Sequence, residues 1–175
     1  MSADFRLVRP RDGEYAPYYG KYISAVPEGD ILTTLAAAQK DMLALISGLT
    51  DRQASSRYEP GKWSVKEVIG HVIDSERVFA YRALRIARKD QTPLAGFEQD
   101  DYVASGEFDR RQPADLAQEF DHVRSATIDL LAHLSEEDWS RHGVANGFEV
   151  SVRALAWIIA GHELHHKTVL RSRYL

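Results

Sequence analysis

Seven histidines and no cysteine set the range of chemistry open to this 175-residue chain. Without cysteine there is no disulfide, no thiolate nucleophile of the chain's own, and no Cys-based zinc or iron–sulfur site. The histidines are His71, His122, His133, His142, His162, His165 and His166. The most informative spacing is His162-Glu163-Leu164-His165-His166, where two imidazoles stand four residues apart. On one helical face such a pair can share a metal ion, each nitrogen about 2.0–2.1 Å from it. The same five residues satisfy H-E-x-x-H, the pattern in which a glutamate serves as general base of a metalloprotease. Only nine residues follow His166, too few for the usual downstream third ligand, so the protease reading is the weaker one.

Four stretches of helical periodicity can position these residues, and none shows sustained strand alternation. The first runs from about Asp30 to Leu49, with Leu32, Leu35, Gln39, Met42, Ile46 and Leu49 on one seam. The second opens at Ser64, where Ser-Val-Lys-Glu makes a capping box through Glu67, and extends to about Lys89. The third starts near Gln112 with Pro113 at its first position and carries Leu116, Phe120, Val123, Thr127, Leu130 and Leu134. The fourth spans Ser151 to Arg173, led by Val152, Leu155 and Ile159. Helices of this length suit an all-α four-helix bundle. An N-terminal arm, residues 1–29, holds half of the tyrosines and precedes a bundle domain over 30–175. The connections 50–63, 90–111 and 135–150 are long for a bundle, where roughly two to eight residues is usual. Arm and loops either cover the bundle ends or wall a pocket.

Helical geometry then sorts the histidines. With His162 at zero and ~100° per residue, Leu155, His166 and Ile159 fall at roughly 20°, 40° and 60°. His162 and His166 therefore continue the apolar seam, while His165 lies off its centre. His122 and His133 lie opposite the apolar stripe of the third helix and read as solvated. His71 sits at the edge of the apolar arc of the second helix, beside Val68, Val72, Ser75 and Phe79. Gly70 precedes His71 as Gly161 precedes His162, and each interior glycine costs about 1 kcal/mol relative to alanine. Either close helix approach or room for an ion and its substrate would account for them. Three neutral nitrogen donors with positions left over describe a catalytic kind of site. The plain alternative is a set of core histidines hydrogen-bonded to neighbouring helices.

Composition narrows the rest. Net charge is −4, from 22 basic and 26 acidic residues, which offers no positive field for nucleic acid. The start MSADFRLVRPRDGEY has no apolar core of a signal peptide, and no apolar run is long enough to span a bilayer. The expectation is a cytoplasmic protein without membrane or nucleic-acid partners.

Two segments, GKWSVKEVIGHVIDSER (61–77) and SVRALAWIIAGHELHHKTVLRSRYL (151–175), resemble the DinB-like family of four-helix-bundle metalloenzymes, unrelated to the DNA polymerase that shares the name. The resemblance extends over most of the chain from about Asp30. It implies a divalent metal ion, zinc or nickel, on one histidine of the second helix and an H-x-x-x-H pair of the fourth. Those positions here are His71, His162 and His166, the three that the helical faces select. It also implies a small-molecule substrate with a low-molecular-weight thiol as cosubstrate, in an S-transferase-like reaction. A metal-dependent hydrolase and a non-catalytic, dimeric metal-binding stress-response module are the alternatives. Glu163 is a candidate catalytic base or a brace for a ligand, and Asp74 and Ser75 are candidate supports.

Overall fold

The computed structural model describes residues 4–175. In chain order the elements are α1 (Gly20–Ala25), α2 (Ile31–Ser47), α3 (Asp51–Ala54), α4 (Val65–Ala87), α5 (Gln99–Gly106) and α6 (Pro113–Ala132). There follow α7 (Glu136–Ser140), a hairpin of β1 (His142–Ala145) and β2 (Phe148–Ser151), and α8 (Val152–Arg173). The long helices α2, α4, α6 and α8 form the bundle, and each begins at a local signal. Asp30 accepts from the Thr33 amide at 2.8 Å, and Ser151 accepts from the Ala154 amide at 2.9 Å. Ser64 and Glu67 close the expected capping box, and Pro113 occupies the first position of α6.

Side-chain contacts fix the helix directions. The Tyr174 hydroxyl donates to the Trp63 carbonyl at 2.7 Å, so the end of α8 meets the beginning of α4. Arg141, just before the hairpin, reaches the Ala87 carbonyl at the other end of α4. Thus α4 and α8 are antiparallel. Lys66 bonds the carbonyls of Asp109 and Arg111, while Glu76 meets Arg124, so α4 and α6 are parallel. Parallel neighbours about 30 Å long cannot be joined by a short turn. The connection 88–112 runs back along the bundle, which is why it is long and why it carries α5.

The hairpin is a small addition to the expected all-α bundle. Its two-residue loop, Asn146-Gly147, has φ of 52° and 78°, the left-handed pair that a tight hairpin turn requires. Four-residue strands are too short for alternation to register, but the Asn-Gly pair was legible. The Leu94 amide donates to the Val144 carbonyl and the Asn146 amide to the Leu94 carbonyl, each at 2.9 Å. These bonds fasten the long connection to the hairpin. The arm is fastened too: Ile23 and Val26 are buried in the core, and Arg9 stacks on Trp157.

The core divides in two. One apolar cluster gathers Leu35, Phe79, Leu131, Trp139 and Trp157; the other gathers Met42, Ile69, Phe120 and Leu170. Between them every long helix contributes polar side chains: Gln39, then Ser75 and Glu76, Arg124 and Thr127, and His162, Glu163 and His166. The bundle is therefore two greasy ends around a polar middle layer.

Candidate metal centre

His71 of α4 meets His162 and His166 of α8 in this layer. One ring nitrogen from each lies within 4.8 Å of the others. The Nε2 atoms of His71 and His162 are 3.1 Å apart. Two nitrogen ligands about 2.0–2.1 Å from one tetrahedral ion stand roughly 3.3 Å apart, so this spacing fits a shared cation. His71 and His162 are buried and His166 is nearly so. Burial drives the His71 pKa down to about 4 and that of His166 to about 3. His162 is held well below its ordinary value by burial and then by its imidazole neighbours. All three rings are neutral at pH 7 and offer lone pairs, the form a metal needs. The Ser75 hydroxyl stands 3.4 Å from His71 Nδ1 and is placed to accept its proton, which leaves Nε2 as the ligand atom.

The two glycines have packing roles. A Cβ at Gly161 would lie 2.1 Å from the Tyr22 carbonyl oxygen, so the arm helix α1 can rest on α8 only where that side chain is missing. A Cβ at Gly70 would lie 2.4 Å from the Phe108 ring. Close approach explains both, yet it also shapes the site. With α1 seated on Gly161, the Tyr22 ring comes to 5.5 Å from His162, edge to face. Trp63 packs 4.9 Å from His71, and Phe79 5.8 Å from His162.

A cavity of about 260 Å³ opens onto His71 and His162. Tyr18, Tyr19 and Tyr22 of the arm form one wall, and residues 96–100 of the long connection form another. For these residues, the pocket-wall reading of arm and loop holds. His122, His133 and His165 are exposed, as their helical faces predict for the first two. Asp74, a candidate support, turns outward to Arg77 at 3.5 Å; Ser75 alone of that pair reaches the cluster.

Glu163 is placed elsewhere in the layer. It is fully buried, with Oε2 at 2.6 Å from Arg124 Nη1 and Oε1 without a hydrogen-bond partner. Burial raises its pKa, with Arg124 and then Lys167 opposing. Arg124 also forks onto Glu76, with both bonds at 2.8 Å, and donates to the Leu35 carbonyl. Glu76 and Arg124 were not anticipated. The usable signal was Arg124 standing four residues after Phe120 and three before Thr127, inside the stripe that the structure buries.

A protein of Oceanobacillus iheyensis, provisionally named a metal-dependent hydrolase, is 26% identical over 125 residues, 69% of this chain and 70% of its own length. One of Geobacillus thermodenitrificans with the same provisional name is 27% identical over 135 residues, 74% of each chain. The fold matches YfiT from Bacillus subtilis, provisionally described as a metal-dependent hydrolase with an unusual four-helix-bundle topology. Here the TM-score is 0.70, at 17% identity over 98% of both chains. It also matches a mycothiol-dependent maleylpyruvate isomerase, with a TM-score of 0.67 at 16% identity, covering 83% of this chain and 61% of that one. The model of the DinB superfamily matches residues 34–170, the stretch that carries all four long helices and all three clustered histidines, and the chain belongs to that superfamily.

Proposed function

We propose that His71, His162 and His166 hold a divalent metal ion, zinc or nickel, and that the protein is an enzyme transferring a small thiol onto an electrophilic substrate. The observation that carries this reading is the convergence of three neutral imidazoles, two of them lining a cavity, with no carboxylate in the cluster. An ion held there supplies Lewis-acid chemistry, favouring the deprotonated form of a nucleophile and polarising its target. Having no cysteine, the chain must receive any thiol from solution. The mycothiol-dependent enzyme among the structural neighbours supports that choice. Ser75 fixes the tautomer of His71, while Trp63, Tyr22 and Phe79 limit water around the rings. In this reading Glu163 positions α8 through Arg124 and is not the base.

The hydrolase is the second reading, favoured by the names of the sequence relatives. Metal analysis of protein purified without an affinity tag, followed by turnover of electrophiles with and without added thiol, separates the readings. About one ion per chain and thiol-dependent turnover are expected. Turnover that ignores thiol overturns the transferase in favour of the hydrolase; protein without metal overturns both.

A further inference from the structure

Two arginines are buried among the described residues, and they are treated in opposite ways. Arg124 is enclosed by two carboxylates. Arg82, only 4% exposed, donates one hydrogen bond, to the Ala95 carbonyl at 2.8 Å, and has no carboxylate partner among the described residues. Its neighbours on α4 do: Arg77 pairs with Glu119 at 2.6 Å and Arg85 pairs with Asp90. A guanidinium has five donors in a rigid fork, and burying its charge without a counter-ion is costly. A guanidinium with no carboxylate beside it and a cavity in front of it has donors to offer an anion.

Its position names the ligand. Arg82 lines the same cavity as His71 and His162. His71, Ser75, Phe79 and Arg82 follow one face of α4 at spacings of four, four and three. The Phe79 ring stands between the two ends, its centre 5.8 Å from that of His162 and 6.0 Å from the Arg82 guanidinium carbon. Phe97 flanks the guanidinium at 6.0 Å on its own account. Glu98 and Asp100, at the cavity mouth, are exposed. A space of about 260 Å³ corresponds to roughly nine waters at ~30 Å³ each, room for a small molecule.

We propose that Arg82 is a carboxylate anchor, and that the small molecule processed at the histidine cluster is an organic acid gripped at its far end by this guanidinium. The fork suits a carboxylate held through two parallel hydrogen bonds, and the rings of Phe79 and Phe97 suit a flat or apolar body. The second half of the proposal rests on the reading of the cluster as a metal centre; the anion site itself does not.

Metal-free protein at pH 7.5, titrated calorimetrically with benzoate and with its neutral counterpart benzamide, tests the anchor. Benzoate should bind at least tenfold more tightly than benzamide. Arg82→Gln should weaken benzoate at least tenfold and leave benzamide unchanged, Arg82→Lys should fall between, and Glu136→Gln, an exposed site away from the cavity, should match wild type. Equal binding of the two probes, or benzoate binding untouched by Arg82→Gln in a protein of native circular dichroism, overturns the anchor. Should Arg82→Gln not fold, the benzoate preference of wild type and its reduction in Arg82→Lys decide the matter. Arg82 also borders an outer cleft of about 510 Å³ with Tyr81 and Tyr102. Benzoate should shift the ring resonances of His162 and Phe79; shifts confined to Tyr81 and Tyr102 overturn the link to the histidines. Protein that binds benzoate through Arg82 yet takes up no ion sinks the metal centre and leaves the anchor standing.

Discussion

His162 and Glu163 are consecutive residues of α8 and belong to opposite kinds of buried polar cluster. Glu163 joins Glu76 and Arg124, three charged groups that answer one another inside the bundle and line no cavity described above. His162 joins His71 and His166, three uncharged rings whose nitrogens converge beside a cavity. The first arrangement is a closed ion cluster, one guanidinium held between two buried carboxylates, with only Glu163 Oε1 left without a partner. The second keeps capacity to spare, because each neutral ring carries a lone pair and two of the three rings line a cavity. A single step along the helix thus separates a cluster that ties helices together through charge from a cluster of neutral rings beside a cavity. Buried charge by itself does not mark a functional site; unspent coordination capacity facing a cavity is the better sign.

Breaking the ionic half should have the largest effect. Arg124→Met leaves two carboxylates buried without a counter-charge, and unfolding in urea at pH 7 should show a loss of about 3–5 kcal/mol. Both carboxylates then take up protons more readily in the folded than in the unfolded state. The variant should therefore be most stable in mild acid and lose stability as pH rises. A loss under about 1 kcal/mol would mean that the triad does not brace the helices.

The imidazole half should break differently. His71→Ala, His162→Ala and His166→Ala should each weaken metal binding by about 100-fold or more, whereas His122→Ala and His133→Ala should bind as wild type. Chelator-treated protein should keep its far-UV helical signal, because each apolar cluster draws on all four long helices and supplies a core of its own. Full metal occupancy in the His71 variant would overturn the three-ligand arrangement.

The two halves were not equally legible in the sequence. His162 and His166 fall on an aliphatic seam whose period is local, and the caps at Asp30, Ser64, Pro113 and Ser151 are local as well. Helix positions and the histidine grouping therefore followed from residues within a few places of one another. The ionic half is a long-range construction. Arg124 finds Glu76 at a separation of 48 residues and Glu163 at 39, and nothing near Arg124 announces either. The seam read for α6 passes through Val123 and Leu130, which the structure only half buries, and leaves out Arg124, which it buries. The walls of the cavity were hidden for the same reason. Tyr22 reaches His162 because Gly161 admits the arm, a contact between parts of the chain some 140 residues apart.

A subtler difference should appear with pH in the metal-free protein. The folded His71 and His166 titrate near 4 and 3 against an ordinary value of 6.5. Between about pH 6.5 and pH 4 the unfolded chain binds protons that the folded one refuses, so stability falls as pH is lowered through that window. His71→Gln removes one such group and should flatten the decline by more than ~1 kcal/mol across the window, read from urea midpoints at successive pH values. A slope unchanged by the substitution would place the His71 ring in water.

The smallest effect expected, and the most discriminating, is that of Glu163→Gln. The amide oxygen can still accept from Arg124, and Glu76 still balances the guanidinium one to one, so the fold should persist. A general base at this position would be worth roughly 10²–10⁴ in rate, and its loss would abolish turnover while the ion stayed bound. A residue that only braces a ligand would lower metal affinity by about 10–100-fold. The geometry supports neither strong outcome. Glu163 turns toward Arg124, and the Ser75 hydroxyl is the support that touches a clustered ring. Metal affinity within about tenfold of wild type and thiol-dependent turnover reduced by less than about tenfold are therefore expected. Metal content by mass spectrometry and rates across a panel of electrophiles would measure both. Turnover that needs no thiol and vanishes in this variant would return Glu163 to the role of base, and would mean that the ionic and imidazole halves of the layer act as one site.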